Sequence, residues 1–211
     1  MNLPLSTVAG LFAVLLVSCN ERPKPGASAA AEAPVPKHEA SLPLEHKWPP
    51  QAPFKVVAYR FVNPLGPGDG NFTLIKDSGV DLEKLKSMTV ASAELNAKQA
   101  ARLVDFIIGK HPKVSSAACY DPHHIFVFYN ARGEVENAVE ICFGCTSVIT
   151  LPDVGEKQWY HYDFRGLARL CEEAGIGMQR GTAADFIAKM DEREREFGPS
   201  AKDEEDDDDG R

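Results

Sequence analysis

From Phe54 onward the apolar and polar positions resolve into separate elements. Phe54 to Val62 (FKVVAYRFV) is rich in β-formers and apolar on both faces, which predicts a central strand. Asn63 to Asn71 contains Pro64, Gly66, Pro67, Gly68 and Gly70 and reads as a loop. Short strands are expected at Phe72 to Lys76 and Met88 to Ser92. The clearest helix runs over about Ala97–Ile108. Asn96 is its N-cap, and Gln99 three residues on completes a capping box. Ala97, Ala100, Ala101, Val104, Ile107 and Ile108 would form its apolar face, with Lys98, Arg102 and Asp105 pointing away. Gly109 and Pro112 stop it. Two more helices follow. Phe164 to Ala174 carries a stripe of Leu167, Leu170, Cys171 and Ala174, and Gly175 ends it. Ala183 to about Phe197 starts at a Thr182-x-x-Asp185 cap and buries Phe186, Ile187 and Met190, leaving Asp191 to Glu196 solvated.

Between the first and second helices lies a hairpin. His123 to Tyr129 and Glu134 to Phe143 flank Asn130-Ala131-Arg132-Gly133, a type I turn closed by Gly133 in the left-handed conformation, so that residue 130 pairs with 134. Continued without interruption, that register places Ile125, Val127 and Tyr129 on one face with Val135, Val139 and Ile141. His124, Phe126 and Phe128 then share the other with Glu136, Ala138, Glu140 and Cys142. His124 falls opposite Glu140, and Cys119 opposite Cys145 if pairing runs past Pro122. The whole reads as an α+β fold: a small antiparallel sheet with a central bulged hairpin, packed by about three helices.

Composition adds what surrounds this domain. The chain has 211 residues, 44% of them hydrophobic, including 11 Phe, which suffices for one packed core. Its formal charge is −8, but seven negatives are packed into residues 203–209, so the rest is close to neutral. A basic stripe for nucleic acid is absent. Residues 199–211 read as a solubilising acidic tail. Residues 19–53, with Pro23, Pro25, Pro34, Pro36 and Pro43 in an Ala-rich background, read as a disordered tether, and the domain is expected over 54–198. Ahead of them, Val8 to Val17 is an apolar run of ten residues, well below the roughly 20 needed to span a bilayer, but suited to the core of an export signal over 1–18.

That run ends in Leu16-Val17-Ser18-Cys19, which resembles the lipobox of bacterial lipoproteins. The resemblance implies cleavage before Cys19, acylation of Cys19 with diacylglycerol and palmitate, and a membrane partner reached through that anchor. Asn20 at the second mature position resembles outer-membrane sorting, so the expected location is the cell envelope, facing the periplasm or the surface. Residues 2–7 depart from the usual pattern in carrying no Lys or Arg.

The remaining chemistry sits in the hairpin. Cys119-Tyr-Asp-Pro-His-His124, Phe128-Tyr129, Gly133 and Glu140-Ile-Cys-Phe-Gly-Cys145 are similar to a signature recurring in bacterial proteins, often exported, to which no reaction is attached. The likeness covers about residues 54–180 and is sharp over 119–145. It implies that the hairpin and its Cys/His cluster belong together. Four cysteines lie outside the signal: Cys119, Cys142, Cys145 and Cys171. In an oxidising compartment an even count points first to a disulfide drawn from Cys119, Cys142 and Cys145, with Cys171 a buried free thiol on its helix. The alternative is a zinc or copper site formed by Cys119, His124, Cys142 and Cys145, with Glu140 orienting His124; a redox dithiol is the third reading. His123 is expected toward the apolar face as an ordinary hydrogen-bonded histidine. No G-x-S-x-G, H-E-x-x-H or phosphate-cradling loop is present, so no catalytic residue is assigned. Two function classes follow. One is an envelope lipoprotein with a structural cluster. The other is an exported metal- or thiol-dependent protein that uses it.

Overall fold

Strong β-formers at Lys55–Phe61 (β1) and Thr89–Leu95 (β4) pair antiparallel, with Val56 opposite Leu95. On its other side β1 pairs with His124–Tyr129 (β5). The sheet continues through Val135–Cys142 (β6) to Ser147–Leu151 (β7). The computed structural model therefore holds a five-stranded antiparallel sheet in the order β4-β1-β5-β6-β7, and Ile75–Lys76 (β2) pairs with Gly79–Val80 (β3) beside it. Among the described residues four helices complete the α+β fold: Leu82–Met88 (α1), Ala97–Ile108 (α2), Phe164–Glu173 (α3) and Ala183–Phe197 (α4). The structure describes residues 47–50, 53, 55–65, 72–76, 79–155, 158–159 and 161–197. Cys19, the signal segment, nearly all of the tether and the acidic tail lie outside the described residues. Among the described residues no helix is long and apolar enough to cross a membrane.

Every residue of β5 is buried, because the sheet is covered on both sides. Phe126, Phe128, Val139 and Ile141 face Leu103, Phe106 and Ile107 of α2, Leu167 and Leu170 of α3, and Met190 of α4. Ile125, Val127, Tyr129 and Ala138 face Phe72, Leu74, Ile75 and Leu85 on the opposite side. The helix boundaries agree with their caps. Gln99 N donates to Asn96 Oδ1 and Asn96 N to Gln99 Oε1, both at 3.0 Å. Asp185 N donates to Thr182 Oγ1 at 3.1 Å and Thr182 N returns to Asp185 Oδ2 at 2.8 Å. The buried face of α2 differs from the expected one: it centres on Leu103, Phe106 and Ile107, while Ala97 and Ala101 are exposed. Large side chains remove more apolar surface from water than alanines do, so they set the helix rotation.

Two further expectations need correction. The turn forms as read: Gly133 has φ 78°, and Asn130 N donates to Glu134 O at 3.0 Å. Tyr129 still pairs with Val135, but Phe128 pairs with Asn137, leaving Glu136 as an extra residue in β6. This bulge slips the register by one, so His124 opposes Ile141 and Ile125 opposes Glu140. Val139 and Ile141 thus join the face of Phe126. Glu140 and Cys142 join the face of Ile125, away from His124. The ordered contacts also begin before Phe54. Trp48 packs edge-on against Phe128 with centroids 5.6 Å apart, its Nε1 donates to Pro152 O at 2.7 Å, and Asn137 Nδ2 donates to Lys47 O at 2.9 Å. An aromatic ring with one polar atom gains by docking on a sheet that offers an acceptor, even from a proline-rich stretch.

Candidate functional site

The segment 109–123, between α2 and β5, forms no strand of its own and is held by the β6–β7 turn. Ala117 N donates to Cys145 O at 3.0 Å, and Ser116 Oγ lies 2.6 Å from Ser147 Oγ. Cys119 and Cys145, with Cα atoms 5.8 Å apart, are joined in a disulfide. Cys142 is free and buried. Its sulfur accepts backbone N–H groups from Asp121 at 3.4 Å and Cys145 at 3.2 Å. Burial pushes this thiol up despite those donors, so it stays protonated. Cys171 is free and buried on α3, where desolvation raises its thiol strongly.

The four residues read as a metal set therefore do not meet. Cys119 and Cys145 are bonded to each other, Cys142 lies on one face of the sheet, and His124 lies on the other. The slip at Glu136 is the physical reason. Among the described residues no group of three or more His, Cys, Asp and Glu side chains is placed to share a metal ion.

Glu140 and His124 have separate environments. Glu140 is fully buried, and its Oε2 accepts from Leu74 N (2.9 Å), Thr73 Oγ1 (3.0 Å) and Ile75 N (3.2 Å), tying the segment 72–76 to the sheet. Desolvation raises its carboxyl to about 7, and those three donors keep it from rising further. His124 is buried against Phe143, with ring centroids 5.1 Å apart. Its Nε2 lies 2.9 Å from Gly177 O; a carbonyl can only accept, so Nε2 carries the proton. Burial lowers His124 to about 4, and it is neutral at physiological pH. Its Nδ1 is then a buried lone pair with no hydrogen-bond partner among the described residues. His123 is stacked on the Phe61 ring with Nδ1 3.2 Å from Phe61 O; its buried Nε2 lies 3.2 Å from Asp121 Oδ1 but makes no hydrogen bond to a described residue.

The two histidines and Asp121 border a cavity of about 500 Å³, lined further by Phe143, Gly144, Thr146, the segment Met178–Gly181 and one face of α4. Its inner wall is imidazole and apolar: His124, Phe143, Phe186 and Met190. Its rim carries Arg180, Lys189 and Arg193, all exposed, none of which forms an ion pair with a described residue. Asp185, Lys189 and Arg193 recur every four residues on α4, beside Phe186 and Met190. That stripe was visible in sequence, but a charged helical stripe usually means a solvated face, and only the fold brings it over His124. Comparison with protein-family profiles, curated proteins and solved structures gives no match to this chain.

Proposed function

We propose that the chain is an exported module, lipid-anchored through Cys19 at the bacterial cell envelope, whose hairpin cluster is structural. The observation that carries this reading is the Cys119–Cys145 disulfide. Such bonds persist in oxidising compartments and are rare where thiols are kept reduced. The segment Leu16-Val17-Ser18-Cys19, similar to a lipobox, supplies the route out of the cytoplasm and the anchor. The zinc or copper reading has less support, because Cys119 and Cys145 are bonded to each other and Cys142 lies on the face of the sheet opposite His124.

The test combines labelling and thiol counting in a bacterial host. A fatty-acid probe should mark the wild type and spare Cys19→Ala; equal labelling, or none, removes the anchor. In the acylated, unreduced chain under denaturing conditions only Cys142 and Cys171 should react with a thiol reagent. Reactivity at Cys119 and Cys145 without reductant would remove the structural disulfide.

A further inference from the structure

We propose that the cavity between α4 and the His124 end of the sheet binds a small apolar carboxylate carrying a hydrogen-bond donor on the carbon beside its carboxyl group. The inference is independent of the anchor. Three features of the site specify three parts of the ligand. The wall formed by Phe143, Phe186 and Met190 takes an apolar or aromatic substituent, and about 500 Å³ is ample for a small organic acid.

Charge specifies the second part. Arg180, Lys189 and Arg193 stand against two carboxylates, Asp121 and Asp185, and both carboxylates are already engaged. Asp185 accepts from Thr182 N and Thr182 Oγ1, each at 2.8 Å. Asp121 Oδ1 accepts from Asn63 Nδ2 at 2.8 Å and lies beside His123. Arg180 and Arg193 form no ion pair with a described residue, and Lys189 faces only Asp185, which Thr182 already holds, so the rim favours an anion.

The third part follows from His124. Gly177 O fixes the Nε2–H tautomer, which leaves Nδ1 able only to accept. A buried acceptor without a donor is costly, and a site of this kind discriminates strongly for a ligand that supplies the missing group. A hydroxyl or amide N–H next to the carboxylate meets that need: 2-hydroxy acids and N-acyl amino acids share this chemistry.

The experiment measures binding to the full chain by calorimetry and by the ¹⁵N resonances of the His124 ring. The probes are mandelate, N-acetylphenylalanine, phenylacetate and 1-phenyl-1,2-ethanediol. At least one of the first two should bind saturably and shift the Nδ1 resonance, and the tighter of them names the source of the donor. Phenylacetate lacks the donor and the diol lacks the charge, so each should bind about tenfold more weakly. The double variant Lys189→Ala/Arg193→Ala changes only exposed residues. It should weaken the acid about tenfold and leave the diol unaffected. Failure of both acids to saturate by about 10 mM overturns the proposal. So does equal affinity for phenylacetate or for the diol, or indifference of the acid to the double variant.

Discussion

Glu140 and His124 are buried on opposite faces of the same strand pair, and burial moves their pKa values in opposite directions. Glu140 rises to about 7 from the ordinary carboxyl value because its charged form loses water. It binds its proton more tightly folded than unfolded, so its stabilising contribution is complete below about 4.5 and is lost as pH climbs through 7. His124 falls to about 4 for the same reason, and its contribution is complete above about 6.5 and is lost as pH falls through 4. Each shift corresponds to about 3 kcal/mol, and between about pH 4.5 and 6.5 the two slopes oppose each other. Relative to wild type, Glu140→Gln should gain stability as pH rises across that window, and His124→Phe should lose it. Urea unfolding at pH 4.5, 5.5 and 6.5 measures both, and slopes of the same sign would contradict the assignment.

Packing between elements rests on a few positions with no room to spare. Gly166, in the first turn of α3, faces α2 so closely that a Cβ there would stand 2.6 Å from Phe106 Cε1. Gly166→Ala should therefore cost about 1–3 kcal/mol by overpacking, outweighing the ~1 kcal/mol that alanine gains in helix propensity. A neutral or stabilising result in thermal unfolding would place the two helices further apart. Trp48 is half-buried on Phe128, so Trp48→Ala should cost about 2 kcal/mol, less than a fully buried tryptophan would. The caps of α2 and α4, the Gly133 turn and the α3 stripe were legible in sequence, because each depends on residues within a few positions of one another. The bulge was not. Both faces of β5 are apolar, and β6 scatters Glu136, Asn137 and Glu140 over both of its faces, so neither register yields one clean polar face to expose the error, and an extra residue at Glu136 has no local signature. Helix α1 escaped because seven residues with one buried leucine are too short for a periodicity to show.

At the scale of the molecule, the site depends on contacts far apart in the chain. The acceptor for His124 comes from Gly177, the rim from α4 and the inner edge from Asp121 and Phe143, so proximity in sequence pointed only to the cysteines. The Cys119–Cys145 bond joins positions 26 apart and fixes a segment that has no ladder of its own. On chain-entropy grounds it contributes about 3–4 kcal/mol. Reductant, or Cys119→Ser/Cys145→Ser, should lower the urea midpoint accordingly, with an unchanged midpoint counting against a structural role. The bulge at Glu136 sets a further constraint, on chain length. Downstream of it β6 is read in a two-residue frame that assigns alternate side chains to two different interiors. Inserting or deleting one residue between Asn137 and Cys142 would exchange those assignments, sending Glu140 beneath the helices and Ile141 beneath segment 72–76. The same change at Ala131 or Arg132, both exposed in the turn, only reshapes a solvent loop. In an insertion scan, then, β6 should reject single-residue changes and the adjoining turn should accept them.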